Sequence, residues 1–111
     1  MDWIETLDDA VIVAGTEGNI IYLNEKATAN FEKYGGKKLI GVNLRDCHNG
    51  ESNQKITEMM LTHEKNIYTI EKKGRKKLIY QAPWYKDGVF AGLVELSLEI
   101  PFDMPHFIRE G

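Results

Sequence analysis

The first third of the chain shows two hydrophobic periodicities. Trp3, Ile4 and Leu7 have the spacing of one turn of an amphipathic helix. Residues 10–14 (AVIVA) and 19–23 (NIIYL) are short β-branched runs typical of strands, and the intervening GTEG supplies turn residues. The pattern predicts a helical turn followed by a β-hairpin.

A helix is predicted directly after this hairpin. Asn24 belongs to the residue types that cap helix N-termini through a side-chain oxygen. Ala27, Phe31 and Tyr34 then fall on one helical face, and the Gly pair at 35–36 is expected to end the helix. Residues 37–44, interrupted by a glycine, predict a turn or a single helical turn.

The second half predicts one longer helix and three strands. The helix is expected to begin near Asn49 or Ser52 and to end near His63 or Glu64, with four side chains at helical spacing on one face. Strands are predicted at 67–71, 78–85 and 89–100. An Asp-Gly pair at 87–88 favours a tight hairpin between the last two. The helical face consists of Ile56, Met59, Met60 and His63.

The last predicted strand alternates between apolar and polar residues. Val94, Leu96, Leu98 and Ile100 share one face, and Glu95, Ser97 and Glu99 share the other. Such alternation indicates that one face is buried and that the other is wet or covered by a partner. Two strands, a helical middle and three strands together predict an α+β design, with an antiparallel sheet and its helices on one face.

This order of elements resembles the PAS family. Residues 17–27 are similar to the family's first hairpin and Asn-capped helix, residues 39–44 to the segment before its long helix, and residues 86–92 to its last hairpin. The resemblance implies a five-stranded antiparallel sheet in the order 2-1-5-4-3, with helices on one face. It implies one PAS-like domain over residues 1–111, with a core at about 3–100 and an extended apolar tail at 101–111.

In that fold a cavity separates the sheet from the long helix. The resemblance implies that the apolar faces of the last two strands point into this cavity, so that the chain is a sensory or signalling domain for a small, mostly apolar ligand or a protein partner. A pocket of apolar side chains with a few polar groups suits a small molecule. The candidate ligand-binding residues are Ile56, Met60, His63, Leu78, Tyr80, Trp84, Val94 and Leu96.

Cofactor hypotheses also follow from the resemblance. Light-sensing members bind flavin and use a Gly-x-Asn-Cys-Arg segment, but Leu44 stands where that cysteine would be needed, so flavin–cysteine photochemistry is not expected. Haem-binding members ligate iron with a histidine of the long helix, which makes His63 a candidate ligand and His48 a second one. Alternatively, His63 only ends the helix and interacts with its dipole.

Cys47 and His48 raise two further hypotheses. Zinc needs about four ligands, and His63 and His106 have no metal-type spacing with this pair, so no metal site is expected. The Cys47 thiol precedes a predicted helix N-terminus, which favours reactivity and a redox role, or else it has a structural role in the turn.

Charge and motifs exclude several other function classes. The net charge of −3 argues against nucleic acid, and the basic run at 72–77 (KKGRKK) is expected to be a solvated hairpin tip or a docking site for an anionic partner. Phosphate-loop, nucleophile-elbow and zinc-protease motifs are missing, so no enzyme is predicted. The sequence has no membrane-length apolar stretch and no signal peptide, and a single cysteine fits a cytoplasmic location.

The ends of the chain bear on partners. The apolar tail at 101–111 is expected either to cover its own sheet or to pack on a second subunit. With the apolar group of Trp3, Ile4 and Leu7, it suggests a homodimer. A further hypothesis is an interaction module without a ligand, whose cavity is filled by Tyr80 and Trp84.

Overall fold

A five-stranded antiparallel sheet carries the helices on one face. The computed structural model describes residues 2–47, the last by its backbone only, and residues 50–111. The strands are β1 (Ala10–Ala14), β2 (Ile20–Leu23), β3 (Asn66–Lys72), β4 (Arg75–Lys86) and β5 (Val89–Ile100), in the spatial order β2-β1-β5-β4-β3. The helices are α1 (Trp3–Thr6), α2 (Glu25–Asn30) and α3 (Gly50–Thr62), with 3-10 turns at Glu32–Tyr34, Gly36–Leu39 and Leu44–Cys47. The predicted fold class and strand order are confirmed.

Two tight hairpin turns fix the register of the last three strands. Lys73 and Gly74 have φ of 54° and 76°, and Asp87 and Gly88 have 52° and 79°, so each turn consists of two left-handed residues. The β4–β5 register shifts once, between Trp84 and Tyr85. Because register decides which residues share a face, these turns set Asn66, Gln81 and Glu95 opposite one another on neighbouring strands.

The helices pack against the face of the sheet that carries Ala10, Ile12 and Ala14 of β1, which we call the helix-side face. Leu93 of β5 joins them, and Ile56 and Met59 of α3 close the core from the other side. Pairing places Ile79, Gln81, Glu95 and Ser97 on this same face.

The opposite face, which we call the outer face, carries the other half of each strand. Its apolar side chains are paired across neighbouring strands. They are Val11, Val13, Leu78, Tyr80, Ala82, Val94, Leu96 and Leu98. The expectation that the Leu78 and Val94 faces point towards the helices is therefore wrong: both faces of these strands hold apolar residues, and alternation alone does not say which one the helices cover.

Two smaller expectations also need correction. α2 ends at Asn30 and continues as a 3-10 turn, so Tyr34 is 63% exposed and does not join the core face with Ala27. The tail at 101–111 is exposed at every residue, with Phe107 and Ile108 at 70% and 85%, so it does not cover its own sheet closely.

The N-terminal helical turn is attached at the β2 edge of the sheet. The Tyr22 hydroxyl donates a hydrogen bond to the Glu5 carboxylate, and Lys37 lies 3.9 Å from Glu5 and donates to the carbonyl of Leu23 at 2.7 Å. That hydrogen bond, with burial and the charges of Glu5 and Glu25, raises the pKa of Tyr22 to about 12. Tyr22 therefore stays protonated at neutral pH and holds α1 in place as a donor.

Candidate functional site

A groove of about 950 Å³ separates the helix-side face of the sheet from the end of α2 and the first turn of α3. This volume lies at the upper end of the range of small-molecule sites. One wall is formed by Asn30, Phe31 and Ser52. The floor is formed by Ala10, Ile12, Tyr68, Ile70, Ile79, Glu95 and Ser97, with Lys72, Lys73, Arg75 and Lys77 at one end.

A row of three polar side chains crosses the helix-side face of the sheet at the level of Glu95. Asn66 donates from Nδ2 to Gln81 Oε1 at 2.8 Å, and Gln81 donates from Nε2 to Glu95 Oε1 at 2.6 Å. The register sets these residues opposite one another on β3, β4 and β5. Because each amide orients the next group, the Glu95 carboxylate is held in one position, where it borders the groove and a second, mostly apolar cavity of about 50 Å³.

Tyr68 adds a hydroxyl to the groove. Burial, and to a smaller extent the charge of Glu95, raise the pKa of Tyr68 above its ordinary value near 10. The phenol is therefore neutral at physiological pH and can donate a hydrogen bond to an occupant of the groove.

The hairpin between β3 and β4 makes one end of the groove basic. Lys72, Lys73, Arg75 and Lys77, which we call the basic cluster, all line this end. Arg75 pairs with Glu99 at 3.1 Å, whereas the three lysines have no carboxylate within ion-pair distance in the described part of the chain.

The structure does not bring the predicted ligand-binding residues together. Leu78, Tyr80, Val94 and Leu96 lie on the outer face, opposite the groove. Trp84, beside the register shift, donates from its indole N–H to the carbonyl of Ala14 at 3.0 Å and does not line the groove. Tyr80 and Trp84 consequently do not fill the space between sheet and helices, as the hypothesis of a packed cavity required.

The three candidates on or near α3 have separate positions. Ile56 is 2% exposed in the core, and Met60 packs against the core. His63 follows the end of α3 with φ of 60°, is exposed, and stacks on Phe90 with ring centroids 3.9 Å apart. None of the three lines the groove.

The residues present do not fit haem in the groove with His63 as its ligand. His63 lies outside the groove lining, and no other described histidine belongs to that lining. In residues 2–46 and 50–111, no group of three or more histidine, cysteine, aspartate or glutamate side chains is arranged to hold a metal ion. His48 and the Cys47 side chain lie outside the described residues, so the hypotheses that involve them stay predictions. Leu44, at the position of the photochemical cysteine, is buried in the core.

Sequence reasoning missed most of the groove floor. Tyr68, Ile70, Glu95 and Ser97 are not among the sequence candidates, because no residue of β3 was proposed and the apolar alternation on β5 points to the opposite face. One signal was available in the two hairpin turns. Counting outward from Lys73–Gly74 sets Asn66 opposite Gln81, so the polar row across β3 and β4 follows from the sequence once the turn is assigned.

No protein-family model matches the sequence, and no curated protein sequence matches it significantly. Solved structures do match. The PAS domain of an HTR-like protein from Haloarcula marismortui has a TM-score of 0.62 at 14% identity, covering 89% of this chain and 87% of that one. The PAS domain of the histidine kinase ThkA has a TM-score of 0.66 at 20% identity, covering 81% and 97%.

A third match is the Aer2 receptor from Vibrio cholerae, described as a dual PAS-haem oxygen sensor, with a TM-score of 0.62 at 15% identity, covering 84% and 95%. In the described ranges no helix combines the length and the apolar character needed to cross a membrane. The strand order, the helices on one face and these structural matches agree, and the chain therefore has the PAS fold.

Proposed function

We propose that this chain is a non-catalytic sensory module that binds a small molecule in the groove and reports its presence to a signalling partner. Structural neighbours with the same fold come from sensor histidine kinases and from a receptor, which supports a sensory role. Fold alone does not fix function, so the proposal depends on the groove itself. A cytoplasmic location stays a prediction.

The observation that carries the proposal is the open space on the helix-side face. The groove of about 950 Å³ between the sheet and its helices is open to solvent and large enough to hold a small molecule. The lining combines apolar side chains such as Ile12, Phe31 and Ile79 with the fixed Glu95 carboxylate. Such a surface suits a ligand with an apolar body and a few polar groups. This ligand is more polar than the mostly apolar one that the sequence predicted.

Filling the groove tests this proposal. Ser97 lies on the groove floor, and Ser97→Trp is expected to occupy the space and abolish ligand binding. A ligand present at 100 times its Kd stabilises the wild-type protein by about 2.7 kcal/mol, or roughly 10 °C in Tm. The measurement is thermal shift across a panel of metabolites, together with native mass spectrometry of the purified protein.

Leu98→Trp is the matched control, because Leu98 is adjacent to Ser97 on β5 and its side chain lies on the outer face, away from the groove. It should keep the ligand-induced shift that Ser97→Trp loses. An equal shift in both variants would place the ligand outside the groove. A protein that carries no co-purified mass and responds to no compound would contradict the sensory proposal.

The outer face is the surface we propose for the partner, in the first instance a second copy of this chain. Its apolar side chains on β4 and β5, such as Tyr80, Leu96 and Leu98, are half-buried and therefore partly accessible, whereas Val11 and Ala82 are buried. Apolar areas of this kind mark association sites. Leu96 lies near its centre, paired with Val11 and Tyr80.

Leu96→Glu is expected to convert a dimer into a monomer, because it buries a carboxylate in an apolar interface. Light scattering should give twice the 12.7 kDa chain mass for the wild-type protein and one chain mass for the variant. Leu61→Glu is the control: Leu61 is 79% exposed on α3, across the sheet from this face, and should leave the dimer intact. A monomeric wild-type protein would contradict self-association.

A further inference from the structure

The groove has opposite electrostatic character at its two ends. The basic cluster lies where β3 turns into β4, and the Asn66–Gln81–Glu95 row lies further along the same strands. In the β4–β5 register Lys77 lies opposite Glu99 and Gln81 lies opposite Glu95, so the two ends are four residues apart along β4. At 3.4 Å per residue this separation is about 14 Å.

The basic end has more positive charge than the protein itself neutralises. Four cationic side chains line it, and Glu99 pairs with Arg75 alone. Lys77 is the least exposed of the cluster, half-buried between Ile79 and the hairpin turn. Between the two ends, Ile70 and Ile79 of the floor and Phe31 of the wall supply an apolar surface.

We propose that the occupant of the groove is an amphipathic anion, whose carboxylate or phosphate group lies against the basic cluster and whose apolar body lies along Ile70, Ile79 and Phe31. This inference rests on the proposed function, since it names the chemical class of the ligand in that same groove. Charge-assisted hydrogen bonds from Lys77 and Arg75 fix the head group. Tyr68 and Glu95 are positioned to bind polar atoms at the far end.

The sequence offers a matched pair of variants for the test. Lys76 and Lys77 are adjacent, but only Lys77 lines the groove; Lys76 lies on the outer face opposite Glu71. Lys77→Gln and Lys76→Gln remove the same charge from the protein. The general attraction of an anion by the net charge of the protein therefore changes equally in both variants. A specific contact in the groove is lost only in Lys77→Gln.

The probe is anilinonaphthalene sulfonate, an amphipathic anion that fluoresces when bound, and its neutral counterpart is phenylnaphthylamine. We expect Lys77→Gln to weaken binding of the sulfonate about tenfold, the effect of one hydrogen bond to a charged group. Lys76→Gln should change it less than twofold, Lys77→Arg should retain it, and Ser97→Trp should abolish it. Binding of the neutral probe should not depend on Lys77.

Other outcomes overturn the inference in distinguishable ways. If both probes bind the groove equally and neither responds to Lys77→Gln, the anion class is wrong while the ligand site stands, and the lysines only protect an edge strand from pairing. If Ser97→Trp changes neither probe's binding, the groove does not bind them and the proposed function fails as well. Lysine-dependent flotation with phosphatidylglycerol vesicles, without lysine-dependent binding of the free probe, would assign the cluster to a membrane surface instead.

Discussion

Gly92→Ala is expected to destabilise the fold by more than about 3 kcal/mol, because a methyl group at this position has no space. A Cβ built on Gly92 would lie 2.0 Å from the backbone oxygen of Ala14 and 2.7 Å from the carbonyl carbon of Gly15. Gly92 also has φ of 140°, a conformation that other residues rarely adopt. The backbone of Ala14 and Gly15, at the end of β1, lies directly against Gly92 of the neighbouring strand β5, so the substitution must push the two strands apart.

Gly88→Ala provides the control for backbone strain without collision. Gly88 has φ of 79° in the same hairpin, and no atom lies within 4 Å of a Cβ built there. Its substitution should cost only about 1 kcal/mol. Urea unfolding of both variants measures the difference, and equal costs would contradict the close approach of β1 and β5. Because Trp84 hydrogen bonds to the same Ala14 carbonyl, Trp84 fluorescence should also change in Gly92→Ala.

Asn24→Ala is expected to cost about 4 kcal/mol of unfolding free energy. The Asn24 side chain is fully buried. Its oxygen accepts hydrogen bonds from the backbone N–H groups of Val11 and Ala27, and its amide donates to the carbonyls of Ile4 and Asp9. One residue thus caps α2 and joins it to β1 and α1.

The reason for the large cost is that alanine leaves the N–H groups of Val11 and Ala27 buried without partners, and removes the donor to the partly buried carbonyls of Ile4 and Asp9. A lost cap costs about 1 kcal/mol, and each buried unpaired group costs about 1–3 kcal/mol. A domain of this size has a total stability of roughly 5–15 kcal/mol, so much of it would be lost.

Asn24→Ser separates the two contributions. Serine keeps a side-chain oxygen for the helix cap but is too short to replace both donations to Ile4 and Asp9. We expect a cost between those of the wild-type protein and Asn24→Ala in urea unfolding. If the serine and alanine variants lose the same stability, or if alanine costs below 1 kcal/mol, the four-bond role assigned to Asn24 is wrong.

Local chemistry accounts for most of the fold that was predicted. The bounds of β1 and β5 match the predicted strands, because turn residues stand on both sides of each. Asn24 caps α2 as its residue type predicted, and Asp87-Gly88 adopts the left-handed turn that it favours. These features depend on neighbours within a few positions along the chain.

The candidate site was predicted less well, and Glu95 shows why. Its strand alternates cleanly, but Leu96 on one side and Leu93 on the other make both faces partly apolar. The apolar positions of the 94–100 segment were therefore assigned to the pocket, whereas they lie on the outer face. The polar positions line the groove because its floor remains open to solvent and to a ligand rather than packed.

The sequence by itself determined the order of the strands and main helices, the bounds of β1 and β5, and the turn at Asp87–Gly88. Those features are decided by backbone propensity and by contacts over a few residues. Only the tertiary structure decided which face of the sheet the helices cover, since that choice depends on how the segment between β2 and β3 crosses the sheet. Because of that crossing, the candidate site lies on the helix-side face, which carries Glu95 and the basic cluster, and not on the outer face that the sequence predicted.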